Sequence, residues 1–210
     1  MDSHRKPAEV LAFLGVKPGM RVGELASGMG YTTELLARVV GSQGVVYAQN
    51  TPLVLKLFAA QPLAARLERL VNKCVIHVER EMDDPFPPEA KDLDLVVIFG
   101  AYHDTDAGGL MQADRTKMNR AIFATLKPGG RYAVFDSSAK PGTGVSETAR
   151  LHRIDEALVQ REVESAGFKL ERSGDFLRNP ADPRDWDTNP MAAGDKRGTG
   201  DRFALLFVKP

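Results

Sequence analysis

The sequence predicts an α/β fold: a doubly wound sheet of seven strands, mostly parallel with an antiparallel last strand, and helices on both faces. Short runs rich in valine, isoleucine and leucine alternate with segments of helical period, which is typical of a parallel sheet covered by helices. Residues 95–99 are apolar without interruption, which places their strand at the centre of the sheet. No periodic helical segment joins the last two strands, so we expect these strands to pair antiparallel.

Each predicted strand is a short apolar run, and the runs lie at residues 20–25, 44–48, 75–78, 93–99, 131–135, 168–171 and 202–208. Segments rich in helix formers lie at residues 7–14, 31–40, 52–71, 113–126 and 147–166. Pro7 suits the first position of a helix, and Pro62 predicts a kink. Residues 175–200 hold three prolines and three glycines, which indicates a long loop that is either functional or disordered.

Length and composition limit the class of protein. The 210 residues predict one domain over 1–210, with an N-terminal helical segment at 1–19. Lys+Arg and Asp+Glu both number 28, which argues against nucleic-acid and membrane-surface partners. The single cysteine, Cys74, excludes an intramolecular disulfide framework and favours a reducing compartment. Since the first residues lack the apolar core of a signal peptide, we expect a cytoplasmic protein, unless a leader was removed.

A glycine-containing turn follows the first strand and opens a helix, with the sequence Glu24-Leu25-Ala26-Ser27-Gly28-Met29-Gly30-Tyr31-Thr32-Thr33. Small residues let the backbone approach a ligand closely, and the helix N-terminus offers N–H groups to it. An ordinary structural turn is the alternative. A dinucleotide fingerprint needs a glycine where Thr33 stands, whereas Glu24 suits an ammonium group. The turn therefore favours a nucleoside that carries an amino acid.

Several motifs carry a resemblance to a known family. The stretch from 14–22 through Val46-Tyr47-Ala48 resembles the first motif of class I, seven-stranded S-adenosylmethionine (SAM)-dependent methyltransferases. Residues 126–130 (Leu-Lys-Pro-Gly-Gly) resemble the turn into the fifth strand of that Rossmann-like fold. Within the class, the motifs at 102–104, 151–156 and 175–180 are most similar to a little-characterised group of bacterial proteins predicted to be methyltransferases. The resemblance implies an enzyme that methylates a small molecule with SAM as its cofactor.

The resemblance implies a cofactor site formed by Glu24, Ala26, Ser27, Gly28, Gly30, Tyr31, Asn50, Asp83 and Gly100. Asn50 stands where the family has an acidic residue that binds both ribose hydroxyls. An amide forgoes the stronger charge-assisted bonds of a carboxylate, so we expect a lower cofactor affinity or help from Gln49. Asp83, with Asp84 directly behind it, stands near the expected position of the adenine amino group.

The reaction centre should lie beyond the carboxyl ends of the fourth and fifth strands, where ligands bind in open α/β sheets. The expected catalytic residues are Tyr102, His103, Asp104 and His152, and the expected substrate-binding residues are Asp136, Arg153 and Arg178. His103, oriented by Asp104, is a candidate general base; the alternative is a hydrogen-bonded loop histidine. Tyr102 either flanks the adenine or methyl group or is a buried aromatic.

His152 and Asp155 are three residues apart on the predicted helix at 147–166 and would share one of its faces. This pair is a candidate second base or substrate anchor, or else a capping or surface pair. In the long loop, Arg178, Arg184 and Trp186 form either part of a lid or an ordered surface loop pinned by internal Arg–Asp pairs. The four histidines show no metal-binding spacing, so we expect no metal site.

Three other functions compete with small-molecule methylation. Residues 28–33 also resemble protein-carboxyl methyltransferases of the isoaspartate-repair type, although Asn50 in place of an acid counts against that function. Asn50 is also the best argument for a SAM-binding protein without catalysis. A nicotinamide oxidoreductase is disfavoured by Thr33.

Overall fold

The structure, a computed structural model, describes residues 2–70 and 73–210. Numbered in chain order, its strands are β1 (Arg21–Leu25), β2 (Val45–Asn50), β3 (Val75–Glu79), β4 (Leu93–Phe99), β5 (Leu126–Ser137), β6 (Lys169–Gly174) and β7 (Arg202–Val208). They form one sheet in the order β3-β2-β1-β4-β5-β7-β6. The pairs from β3 to β5 are parallel, whereas β7 pairs antiparallel with both β5 and β6. The predicted fold class and its antiparallel last strand are confirmed.

The helices are α1 (Asp2–Arg5), α2 (Pro7–Leu14), α3 (Tyr31–Val40), α4 (Pro52–Val54), α5 (Ala60–Glu68), α6 (Arg115–Thr125), α7 (Thr148–Leu151) and α8 (Glu156–Ser165). The helix predicted at 52–71 is interrupted by a π-helical turn, Leu55–Ala59. This turn precedes Pro62, which offers no N–H to the preceding helical turn. The helix ends at Glu68, and the predicted end at Val71 lies outside the described residues. Across the described part of the chain, every helix is too short or too polar to cross a membrane.

The helix predicted at 147–166 is wrong, because the chain leaves the helical path between α7 and α8. His152 ends α7 in the left-handed region at φ 50°. Ile154 then lies against the end of β5, where its N–H donates to Ser137 O at 3.0 Å and its carbonyl accepts from Ala139 N at 3.0 Å. Asp155 begins α8 by accepting a hydrogen bond from Ala157 N at 3.0 Å. His152 and Asp155 therefore do not share a helix face.

Helices cover both faces of the sheet and divide the core in two. In β4, Leu95 and Val97 pack into one cluster with α2 and α3, while Val96 and Ile98 pack into the other with α6 and α8. All four side chains are at most 1% exposed. Because successive strand residues point to opposite faces, the uninterrupted apolar run marks a strand buried on both sides, as expected. In the covered centre of the sheet, the places open to a ligand are therefore the ends of the strands.

Candidate functional site

Two loops meet at the carboxyl edge of the sheet. β1 and β4 are parallel neighbours, with Leu25 in register with Ile98. The glycine turn after β1 (residues 26–30, hereafter the glycine loop) and the segment after β4 therefore leave the sheet side by side. The order of the strands reverses between β1 and β4, and in open α/β sheets this is where ligands bind.

The glycine loop is held in a tight, left-handed path. Ala26, Gly28 and Gly30 have φ values of 51°, 54° and 79°, a region that only glycine adopts without strain. The amide of Ala26 donates to Gln49 Oε1 at 2.9 Å, and Ser27 N donates to Gln49 O at 2.8 Å. The side-chain oxygen of Gln49 therefore shapes the loop. Its Nε2 donates a hydrogen bond to Arg80 O at 2.6 Å.

The loop leaves room for a ligand against its backbone. A Cβ added at Gly28 would meet only Ala26 O, at 3.9 Å, and one at Gly100 after β4 would meet no described atom within 4 Å. Gly30, the residue before α3, has no side chain with which to cap the helix. Open glycine backbone at the start of a helix is suited to a polar nucleoside-type ligand.

Asn50 does not occupy the role that the resemblance implied for it. Its Oδ1 accepts from Gly28 N at 2.8 Å, and its Nδ2 donates to Ser27 Oγ at 2.8 Å and to Gly28 O at 3.2 Å. The side chain is fully buried. Asn50 therefore stabilises the glycine loop from beneath rather than presenting its polar atoms to a ribose, and the expected help from Gln49 fails for the same reason.

The remaining expected cofactor residues lie around the loop. Glu24 is buried and accepts from Thr33 Oγ1 at 2.5 Å; burial, only partly offset by this hydrogen bond, raises the pKa of its carboxyl to about 8. Tyr31 begins α3 with the Arg5 guanidinium over its ring at 4.2 Å. Asp83 lies on the surface, paired with Lys117 Nζ at 3.0 Å. Asp84, its alternative, pairs with Arg80.

His103 is oriented mainly by Asp136, which the sequence analysis expected to bind the substrate. Its Nδ1 lies 2.7 Å from Asp136 Oδ1, and its backbone N donates to Asp136 Oδ2 at 2.9 Å. The second ring nitrogen, Nε2, lies 3.5 Å from Asp104 Oδ1. Asp136 is 1% exposed, so it fixes the ring from inside the protein, while Asp104 faces the nitrogen left for a ligand.

The second histidine joins the first through the long loop. His152 Nδ1 lies 2.8 Å from Asp187 Oδ1. The ring centroids of His103 and His152 are 5.5 Å apart, and the two ring planes are inclined by 81°. One ligand atom from each of His103, Asp104 and His152 lies within 4.8 Å of the others. Sequence reasoning missed Asp187, because no local pattern links it to a histidine 35 residues earlier.

The charge around His103 alters its chemistry. Burial lowers the pKa of the imidazole, but the attraction and hydrogen bond of Asp136, with Asp104 and Asp187, outweigh burial and raise the pKa to about 9. A general base must be neutral to accept a proton. The expected role of His103 as a base depends on a near-neutral pKa, whereas the structure raises its pKa to about 9.

Two expected site residues are buried inside the protein. Tyr102 is fully buried, and its hydroxyl donates to Glu162 Oε2 at 2.9 Å and accepts from Asn119 Nδ2 at 2.9 Å. It is therefore a buried aromatic, the alternative to a residue that flanks the adenine or methyl group. Arg153 is also fully buried and pairs with Asp182 at 2.8 Å, so it is unavailable to a substrate.

Arg178 belongs to the internal network of the long loop. Its guanidinium bonds Ser138 Oγ at 3.1 Å and Glu156 Oε2 at 2.5 Å, while Arg184 donates to Asp201 Oδ2 at 2.7 Å. Trp186 Nε1 donates to Asp182 Oδ1 at 2.7 Å. These bonds are those of an ordered loop pinned by Arg–Asp pairs, the alternative to a lid.

Sequence comparisons relate this chain to methyltransferases. The family model of protein-L-isoaspartate(D-aspartate) O-methyltransferase matches residues 3–75. The ubiquinone/menaquinone biosynthesis C-methyltransferase UbiE of Teredinibacter turnerae is 35% identical over 141 residues, which cover 64% of this chain and 49% of the relative. The same enzyme of Edwardsiella ictaluri is 32% identical over 130 residues, or 59% and 45% of the two chains. The chain thus spans about half the length of these curated relatives.

Solved structures share the fold. A SAM-dependent methyltransferase from Aquifex aeolicus superposes with a TM-score of 0.66 at 18% identity, over 97% of this chain and 89% of that one. A SAM-dependent O-methyltransferase from Thermotoga maritima gives 0.58 at 18% identity, over 98% and 64%. Fold and sequence together confirm the resemblance: the chain has the fold of SAM-dependent methyltransferases, with the seven-stranded sheet of class I, and its sequence is similar to those of curated methyltransferases.

Proposed function

We propose that this protein is an enzyme that transfers a methyl group from SAM to a small-molecule acceptor. The observation that carries the proposal is the meeting of two sites at one edge of the sheet. The glycine loop after β1 supplies open backbone for a nucleoside, and the His103–Asp104–His152 cluster follows the neighbouring strand β4. Related sequences and folds are those of methyltransferases.

The residues of the cofactor site fit SAM in part. Gly28 and Gly100 leave open space beside their backbone, where a Cβ would take room from a ligand. The departure is Asn50, which is committed to the loop, so the ribose would be held without the family's carboxylate. When bound, SAM supplies an activated methyl group on its sulfonium. We expect the loss of the charge-assisted ribose bonds to lower its affinity.

The chain's own contribution is to hold the acceptor in line with the methyl group. Methyl transfer is a displacement whose rate depends chiefly on the distance and alignment of the reacting atoms. The ring planes of His103 and His152 are inclined to each other by 81°. A carboxylate contacts Nδ1 of each ring and fixes its orientation. Such rigid polar groups are suited to position an acceptor through a hydroxyl, amine or thiol.

The acceptor is proposed to be small rather than macromolecular. The balanced charge of 28 basic and 28 acidic residues supports partners other than nucleic acid or a membrane surface. The isoaspartate-repair match ends at residue 75, before the segments that carry the histidine cluster. It thus supports the cofactor half of the site and says nothing of a protein carboxyl acceptor. A cytoplasmic location, suggested by the single cysteine, belongs to the same proposal.

Isothermal titration with SAM, S-adenosylhomocysteine and NAD tests the cofactor. We expect the first two to bind and NAD not to bind. Gly28→Ala should abolish or strongly weaken SAM binding, because its Cβ projects into the ligand's space. Gly19→Ala is the matched control, since Gly19 is also left-handed (φ 82°) with no described atom within 4 Å of an added Cβ, but lies before β1. Equal SAM affinity in both folded variants would contradict the assignment of the loop.

A further inference from the structure

We propose that His103, Asp104 and His152 bind a divalent first-row transition-metal ion. The proposal does not depend on methyl transfer, since it concerns a binding site formed by side chains that the fold brings together. One ligand atom from each residue lies within 4.8 Å of the other two. Around a zinc-like ion with bonds of about 2.0–2.2 Å, neighbouring ligands lie about 3–3.5 Å apart, and His103 Nε2 and Asp104 Oδ1 are already 3.5 Å apart.

The two imidazoles are oriented as metal-binding histidines usually are. In such sites the nitrogen that does not bind the metal donates its proton to a carboxylate or carbonyl. Here Asp136 holds His103 Nδ1 at 2.7 Å and Asp187 holds His152 Nδ1 at 2.8 Å. Metal binding displaces any proton on Nε2, and with Nδ1 as the remaining donor, Nε2 of each ring then offers its lone pair to the metal. The side-chain amide of Asn189 contacts His152 Nε2 at 3.3 Å, a long hydrogen bond that a metal would replace.

The backbone holds these ligands in place. His103 is 6% exposed, and its own N–H donates to Asp136. The carbonyl of His152 accepts from Thr188 Oγ1 at 2.7 Å, and its N–H donates to Thr148 O at 3.1 Å. A metal would therefore need little rearrangement of the main chain, which keeps the entropic cost of binding low.

The charge of the surroundings favours a cation. Three carboxylates, those of Asp104, Asp136 and Asp187, face the two imidazoles. Within the described residues, none of the three forms an ion pair with a lysine or arginine. Their basic partners in this part of the structure are the two imidazoles, so three carboxylates face two basic groups, and a bound divalent ion would add compensating positive charge.

The donor set selects the class of metal. Two imidazoles and one carboxylate suit Zn²⁺, Co²⁺, Fe²⁺ or Ni²⁺ better than Mg²⁺ or Ca²⁺, which prefer oxygen ligands. Three protein ligands leave at least one coordination position open. The absence of regular spacing between the histidines in sequence explains why no metal site was expected: residues 103 and 152 follow different strands and meet only in the folded chain.

Titration of the chelator-treated, dialysed protein with Co²⁺ tests the site. We expect one equivalent to bind with the visible absorption bands of nitrogen-ligated Co²⁺, and one equivalent of Zn²⁺ to remove those bands. His152→Gly, in which glycine accepts the left-handed backbone, and Asp104→Asn should each lose the bands. Asp187→Asn should weaken Co²⁺ binding about 10- to 100-fold through the lost orientation of His152.

His77→Ala is the matched control, because His77 lies on β3 away from the cluster, and it should bind Co²⁺ like the wild type. Circular dichroism establishes that each variant is folded. Bands of equal intensity in wild type and folded His152→Gly would overturn the proposal, as would a wild-type protein that gives no bands at one equivalent. Neither result would bear on SAM binding, which calorimetry measures separately.

Discussion

Arg153 is predicted to be the main anchor of the long loop, and its replacement should be strongly destabilising. Its guanidinium donates to Asp182 Oδ2 at 2.8 Å, Ser138 O at 3.0 Å and Trp186 O at 3.0 Å, and it lies 4.8 Å from the Trp186 ring. The side chains of Arg153 and Asp182 are 0% and 1% exposed. Arg153→Met therefore leaves a buried carboxylate without its cation.

The expected cost is about 3–5 kcal/mol, the usual penalty for removing one partner of a buried ion pair. For a chain of this length each kcal/mol lowers the melting temperature by about 2–4 °C, so we expect a decrease of about 6–20 °C. Arg150→Met is the matched control, because Arg150 is 66% exposed in its pair with Glu147. An exposed pair contributes less than about 1 kcal/mol.

Urea unfolding can be followed with two probes that report on different parts of the molecule. Trp186 is the only tryptophan, so its fluorescence reports on the loop, while far-ultraviolet circular dichroism reports on the whole fold. We expect Arg153→Met to shift the fluorescence transition at least as much as the dichroism transition. Adding Asp182→Asn should recover part of the loss, because no unpaired charge remains. If Arg153→Met is no less stable than Arg150→Met, the anchoring role is refuted.

Three further predictions concern buried polar residues. Glu24, with its pKa raised from 4.5 to about 8, retains a proton in the folded state that the unfolded chain loses. Stability should therefore fall as pH rises from about 4.5 to about 8 and level off above it; urea unfolding across this range should show a flatter profile for Glu24→Gln, and an unchanged slope would contradict the prediction. Asn50→Asp loses the donors to Ser27 and Gly28, so it should cost about 1–3 kcal/mol and weaken SAM binding in calorimetry, whereas tighter binding would show that the new carboxylate reaches the ribose. Tyr102→Phe should lower stability by about 1–2 kcal/mol and leave SAM affinity unchanged, and a large loss of affinity would return Tyr102 to the cofactor site.

The fold could be predicted from the sequence because its signals are local. The uninterrupted apolar run of β4 and the missing helix before β7 depend on neighbouring residues, and both predictions are confirmed. Similarly, small residues between β1 and α3 predict a close turn wherever they occur. The one large error, the helix at 147–166, arose because Ile154 forms its hydrogen bonds with Ser137 and Ala139. That contact comes from the tertiary fold and leaves no mark in the helical pattern.

The partners within the candidate site could not be predicted for a related reason. Sequence neighbours suggested Asp104 for His103 and Asp155 for His152, whereas Asp136 and Asp187 hold the two rings. Parallel strands and long loops bring together residues that are far apart in sequence.

Transfer of labelled methyl groups tests the central claim most directly. The protein is incubated with methyl-labelled SAM and a cell extract, and the label is measured in the small-molecule and macromolecular fractions. We expect label in the small-molecule fraction with wild type and with His77→Ala, and about 10²-fold less with His103→Asn, because an acceptor displaced by about 1 Å reacts that much more slowly. Label confined to macromolecules, or no transfer although SAM binds, would contradict small-molecule methylation.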